Sequence, residues 1–273
     1  MNKDLNQLQK LVEIARVAGE AILEIYDSDF EVIRKADGSP LTMADQNANA
    51  VIEQGLNELD TVLPIVSEES ERPVAEIRNE WRRYWLVDPL DGTKEFTKRN
   101  GEFTVNIALI EEGEPVMGVV HVPVTNITYF ASTAAGAFKK TGDEPAKPIQ
   151  VNHYDGGKAV VVASRSHANP LLREFYEQLD DYETMSMGSS LKLCLVAEGQ
   201  ADIYPRLGPT SEWDTGAAHC VVNCAGGKVT DIDGAHLQYN KIDILNPWFV
   251  VTGGGNYPWL EKLQHVREHA LGK

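Results

Sequence analysis

Positive charge is scarce in this chain. Its 25 Lys and Arg stand against 41 Asp and Glu, giving a formal net charge of -16 over 273 residues. A basic surface does most of the work in nonspecific nucleic-acid binding, so polymeric nucleic acid is excluded as an expected partner. An anionic ligand must instead be met by local positive charge, from bound cations or a small Lys/Arg set. Cysteine is scarce too. Cys194, Cys220 and Cys224 are too few for a disulfide framework. Cys220 and Cys224, four apart in an apolar run, share a helix face and read as core thiols. No run approaches the roughly 20 apolar residues of a membrane span. Met1-Asn2-Lys3-Asp4-Leu5 has no apolar signal core, so the cytosol is the expected compartment. Internal repeats, low-complexity tracts and long linkers are lacking as well. What remains is 42% hydrophobic and 24% charged, a globular composition long enough for one large domain or two lobes.

Leu8, Leu11, Val12, Ala15, Ala18, Ile22 and Ile25 recur at helical spacing and predict an amphipathic helix over Asp4–Tyr26. A second helix is expected over Ala44–Leu59, with Thr42-Met43-Ala44-Asp45 as a capping box. Strands are expected at Val62–Val66 and Tyr84–Val87. Val105–Ile110, Pro115–Val122 and Ile127–Ser132, split by short turns, predict an antiparallel meander. The polar stretch Thr141–Pro148 is the candidate boundary. It divides an N-terminal half, 1–145, from a C-terminal half, 146–273. Beyond it strands are expected at Ala159–Ala163, Ala201–Tyr204 and Trp248–Thr252. Helices are expected at Pro170–Leu179, Ser189–Glu198, after Asp214 and from Pro258. The first half reads as α+β and the second as α/β, with a cleft between them.

Chemistry is densest at Asp88-Pro89-Leu90-Asp91-Gly92-Thr93, after the strand-like Trp85-Leu86-Val87. Pro89 removes a backbone donor and stiffens a turn. Such a turn aims two carboxylates and the Leu90 carbonyl at one point, the oxygen cluster that hard divalent cations need. Gly92 and Thr93 then open a helix whose free N–H groups suit a phosphate. Together these features point to metal-assisted phosphoryl hydrolysis. An Asp-Gly turn accounts for one Asp and the Gly, but not for both Asp. Glu68-Glu69 ends a strand and Trp213-Asp214 precedes a helix of small residues. Each has an ordinary explanation: solvated loop charge for Glu68 and Glu69, a helix N-cap for Asp214, the third helical position of a capping box for Asp45. Asp231-Ile232-Asp233-Gly234 lacks the spacing of an EF-hand loop and reads as a hairpin turn. Gly253-Gly254-Gly255 lacks the dinucleotide fingerprint. The last helix reads as surface packing.

Taken together, Asp45, Glu68-Glu69, Asp88-Pro89-Leu90-Asp91-Gly92-Thr93 and Trp213-Asp214 resemble, in order and spacing, the lithium-sensitive, magnesium-dependent phosphatases. These include inositol monophosphatases, fructose-1,6-bisphosphatases and bisphosphate nucleotidases. The resemblance spans essentially the whole chain. One small departure is Gly216, where relatives often carry Ala. Within the family the likeness is strongest to 3'(2'),5'-bisphosphate nucleotidases of the CysQ type. It is carried by the stretch from Asp91 to Asn106, by Ser164-Arg165-Ser166-His167, and by Gly188-Ser189-Ser190-Leu191-Lys192 with Tyr204-Pro205-Arg206.

The resemblance implies a layered αβαβα sugar-phosphatase fold and two to three Mg2+ ions. Glu68, Asp88 and the Leu90 carbonyl would hold the first. Asp88, Asp91 and Asp214 would hold the second, with a weaker third near Glu68. Four carboxylates in one pocket would repel one another unless cations sat among them. Thr93, oriented by Asp45, would take a proton from the attacking water, and the Gly92 and Thr93 N–H groups would hold the phosphate. Lys192, as the candidate for a second phosphate, would form the substrate side with Ser164, His167, Gly188 and Ser189, beside Glu68 and Asp214, with Arg165 and Arg206 as weaker candidates. The implied reaction is hydrolysis of 3'-phosphoadenosine 5'-phosphate (PAP) to AMP and phosphate in sulfur assimilation. The sulfated nucleotide 3'-phosphoadenylyl sulfate is a second candidate substrate. An inositol or sugar phosphatase shares every metal residue and stays open at this point, as does a catalytically silent binding module. Attachment to the cytoplasmic face of the inner membrane is left open by relatives sometimes assigned there.

Overall fold

The computed structural model describes residues 2–27, 32–34, 40–164 and 170–271. In chain order the elements begin with α1 (Asn2–Tyr26), the hairpin β1 (Val32–Arg34) and β2 (Pro40–Thr42), and α2 (Met43–Asn57). Next come β3 (Ile65–Ser67), α3 (Ala75–Arg78), β4 (Arg83–Asp91) and α4 (Thr93–Thr97). The meander follows as β5 (Thr104–Glu111), β6 (Glu114–Val122), β7 (Ile127–Ser132), β8 (Gly136–Thr141) and β9 (Lys147–Pro148). The rest comprises β10 (Ala159–Ser164), α5 (Pro170–Glu177), β11 (Tyr182–Met187), α6 (Leu191–Ala197) and β12 (Ile203–Arg206). After a 3-10 turn at Glu212–Asp214 come α7 (Gly216–Cys224), β13 (Lys228–Asp231), β14 (Phe249–Thr252) and α8 (Trp259–Leu271).

Two sheets organise the molecule. One has seven strands in the order β3-β4-β5-β6-β7-β8-β9 and is antiparallel except for β3 on β4. The other has five, ordered β11-β10-β12-β14-β13. The period-two alternation of strands assigns their faces. On β4, Trp85 and Val87 join the core under α1 and α2, whereas Tyr84 and Leu86 join the core shared with α6 and α7. On β14, Phe249 and Val251 face that same central core, and Val250 faces a third core built with Phe175, Trp259 and Leu263 of α5 and α8. The result is five layers, αβαβα. The central layer is α6 and α7, which link the two halves through one continuous core.

The layers approach closely where side chains are smallest. A Cβ on Gly118 of β6 would lie 2.3 Å from the Ala217 carbonyl of α7. Any larger residue there would push α7, and the turn that precedes it, off the first sheet. Among the described residues no helix is long and apolar enough to cross a membrane.

Four local expectations need correction. The Asp88–Asp91 run is not a turn between strand and helix; β4 continues through Asp91. The ladder with β5 shifts register between Asp88 and Asp91, so Pro89 sits in a bulge of an interior strand, the one place such a strand tolerates it. β8 and β9 extend the first sheet into the polar Thr141–Pro148 stretch. β11 is a strand that its mixed sequence, Tyr-Glu-Thr-Met-Ser-Met, did not announce; it lies at a sheet edge and is largely exposed. α8 buries Trp259, Leu263 and Val266, so it closes a core. The capping box at Thr42 involves a side chain outside the described residues.

Candidate active site

The cleft lies where the ends of β3 and β4 meet the start of α6, the end of β12 and the turn before α7. Glu68, Asp88, Leu90, Asp91, Gly92, Thr93, Gly188, Ser189, Lys192 and Asp214 all line it. Ten expected positions, spread over almost 150 residues of chain, therefore converge. Asp45 sits on α2, 2% exposed, close enough for its charge to disfavour ionisation of Asp88. The side chain of Ser164 and the whole of Arg165 and His167 lie outside the described residues.

The bulge does the positioning at Asp88. Paired residues are Asp88 with Asn106 and Asp91 with Thr104, and the register skips Pro89 and Leu90. The Leu90 N–H donates back to Asp88 Oδ1 at 3.1 Å, while buried Asp88 Oδ2 has no hydrogen-bond partner. Gly92 caps α4 at φ 97°, a left-handed conformation that turns the chain from strand into helix and that a Cβ would strain. Asp214 is not the helix N-cap but the third residue of a capping box. The Ser211 N–H donates to Asp214 Oδ2 at 2.8 Å, and Thr215 caps α7. One Asp214 oxygen is thus spent on the fold while Glu68, Asp88 and Asp214 present oxygens within 4.8 Å of one another. Asp91 is outside that trio; its Oδ2 accepts a hydrogen bond from Ser190 Oγ at 2.9 Å.

Electrostatics explain what the cluster lacks by itself. Burial, then the charges of Glu68, Asp91, Asp214 and Asp45, hold the Asp88 carboxyl well above its ordinary range. Burial and the neighbouring Asp91 push Asp214 up to about 8 from 3.8. Burial raises Asp91 as well, opposed by Lys192 and by Ser190. Lys192 is itself lowered by burial, with Asp91 acting against that. Its ammonium group lies 5.7 Å from the centre of the Tyr204 ring and donates to the Ser189 carbonyl. Buried carboxylates that resist ionisation, together with an unpartnered Asp88 oxygen, match the donor set of a hard divalent cation.

This has a measurable sign. A carboxyl whose folded value is raised stabilises the metal-free fold at low pH and loses that contribution as pH climbs through about 8. A cation competes with those protons. Added Mg2+ should therefore raise the melting temperature of chelator-treated protein more at pH 8 than at pH 5.5. Equal shifts at the two pH values would mean that these carboxyls are not where the ion binds.

Some site residues escaped the sequence. Glu95, Ser190 and Tyr204 line the cleft, and Glu102 accepts the Gly188 N–H at 2.8 Å. Glu212, 1% exposed, accepts the Asn240 and Lys241 N–H groups, each at 2.9 Å, and so ties the turn bearing Asp214 to the 240–246 loop. Glu95, Glu102, Ser190 and Tyr204 fall in the stretches that carry the family resemblance, which hinted at a role; Glu212 does not.

Comparisons with known proteins agree with this geometry. Residues 4–265 match the model of the inositol monophosphatase family. The chain is 51% identical over 248 residues to the 3'(2'),5'-bisphosphate nucleotidase CysQ of Salmonella typhimurium, covering 90% of this chain and 99% of that protein. The crystal structure of CysQ from Bacteroides thetaiotaomicron superposes with a TM-score of 0.81 at 42% identity, covering 91% of this chain and 97% of that one. An inositol monophosphatase structure from Thermotoga maritima, at 23% identity and a TM-score of 0.79, shares the fold over 97% of this chain and 99% of that one.

Proposed function

This chain belongs to the inositol monophosphatase family, and on that premise we propose that it is a 3'(2'),5'-bisphosphate nucleotidase. It removes the 3'-phosphate of PAP to give AMP and phosphate, and accepts 3'-phosphoadenylyl sulfate as a second substrate. The observation that carries the reading is one cleft with two kinds of anion partner. It holds a carboxylate trio able to gather cations and, beside Asp91, a buried lysine 9% exposed. A nucleotide with phosphates on two positions of one sugar presents a group to each.

Glu68, Asp88 and the Leu90 carbonyl would hold one Mg2+, Asp88, Asp91 and Asp214 a second, and the neighbourhood of Glu68 a third. Bound Mg2+ supplies charge neutralisation at the phosphate oxygens and makes a bound water more acidic. Thr93 Oγ1 accepts the proton of the attacking water and passes its own to the Asp45 carboxylate. The N–H groups of Gly92 and Thr93 have no acceptor within the helix they open and donate to the phosphate being transferred. Lys192, with Ser189 and Gly188 beside it, receives the second phosphate.

Phosphate release with Mg2+ from equal concentrations of PAP and inositol 1-phosphate tests this. The expected result is a strong preference for PAP. Comparable or faster turnover of inositol 1-phosphate would leave the metal chemistry standing and overturn the assignment of the Lys192 side.

A further inference from the structure

We propose that Ser190 is a positioning residue that fixes Asp91 against Asp214 across the two halves of the cleft, an inference resting on the metal-site reading above. Ser190 occupies the N-cap position of α6, where a serine ordinarily spends its hydroxyl on the helix. Here it makes no side-chain cap hydrogen bond. Its Oγ instead lies 2.9 Å from Asp91 Oδ2 and 2.7 Å from the Asp214 carbonyl oxygen, and accepts from Asn106 Nδ2 at 2.9 Å. The Ser190 N–H also bonds the Asp91 carboxylate.

Proton counting decides what this hydroxyl does. It has one proton, and Asn106 occupies one of its lone pairs. That proton points between Asp91 Oδ2 at 2.9 Å and the Asp214 carbonyl at 2.7 Å, a three-centre bond shared by the two acceptors. By filling one lone pair, Asn106 orients the hydroxyl toward Asp91 and the Asp214 carbonyl together. It is well placed to do so, since it stands directly opposite Asp88 in the β4–β5 ladder. Ser190 and Asn106 are 2% and 1% exposed, so water does not compete for either bond. The arrangement commits Asp91 Oδ2 and leaves its other oxygen for a cation. It also links β4, β5, α6 and the turn before α7 through one atom.

Mn2+ binding to the full-length protein, read by the loss of the free-ion electron paramagnetic resonance signal, tests the inference without turnover. Ser190→Ala should weaken Mn2+ binding by about ten- to a hundredfold, the usual effect of removing a group that orients a metal ligand. Ser190→Thr, which restores the hydroxyl, should recover binding to within about threefold of wild type. Asn106→Ala should weaken it by about ten- to thirtyfold, because the hydroxyl loses its orientation. Wild-type affinity in Ser190→Ala, or equal weakness in the Ala and Thr variants, would overturn the role of the hydroxyl. A wild-type protein that binds no Mn2+ would overturn the metal-site reading itself.

Discussion

Asp88→Asn lowers Mg2+-dependent phosphate release by on the order of a thousandfold, and at pH 8 it raises the melting temperature of the metal-free protein. Both signs come from one fact: Asp88 is 1% exposed and faces Glu68, Asp91 and Asp214 from a rigid strand. With cations absent, its charge is a liability that burial and the neighbouring carboxylates, Asp45 included, oppose. Asparagine keeps the oxygen that accepts from the Leu90 N–H and removes the charge. Relief of about 1 kcal/mol corresponds to roughly 2–4 °C in a chain of about this size. With cations present, the same charge is what holds them, and its loss removes several kcal/mol of transition-state stabilisation. Activity assays with Mg2+ and thermal unfolding in chelator measure the two halves separately. A variant that loses activity and also melts earlier in chelator would make Asp88 a structural residue.

The parts of this molecule with a strong period could be read from the chain, and the parts held by distant partners could not. α1 shows its apolar stripe, and Leu8, Leu11, Ala15, Ala18 and Ile22 are all buried. The meander strands β5 to β7 read as near-continuous apolar runs because helices cover both faces of the sheet. β11 failed because an edge strand with one partner tolerates Glu183, Thr184 and Ser186 within six residues. Pro89 misled because proline marks turns far more often than interior bulges. The acidic ligands were legible through their joint spacing, though no single Asp or Glu stood out from turn and cap chemistry. Ser190 was legible only as part of the Gly188–Lys192 stretch; its role was not, because its partners Asn106 and Asp91 lie 84 and 99 residues away. Asp214 shows how one residue can satisfy both descriptions, since it closes a capping box with one oxygen and faces Asp88 as well.

Lys192→Met is expected to lower kcat/KM for PAP by about a hundredfold, mostly through KM, while changing turnover of adenosine 3'-phosphate little. A hydrogen bond to a charged group contributes about 1.5–3 kcal/mol, which converts to roughly 10- to 150-fold. Methionine keeps an apolar side chain of similar length in the buried site and deletes only the ammonium. In the free protein that ammonium is held on the Ser189 carbonyl and the face of Tyr204, where burial weakens its charge. A second phosphate would restore it. The adenosine 3'-phosphate comparison matters because Lys192 also supports ionisation of Asp91. If the lysine served Asp91 alone, both substrates would suffer equally. That result would move the second phosphate elsewhere in the cleft, with Arg206 the next cation on its wall.

The most direct test of the account is to follow PAP by phosphorus NMR with Mg2+ and with chelator. The method shows which phosphate leaves. The account predicts inorganic phosphate and AMP, in equal amounts, with Mg2+ only. Adenosine 3'-phosphate as the product, or release that persists in chelator, would contradict it.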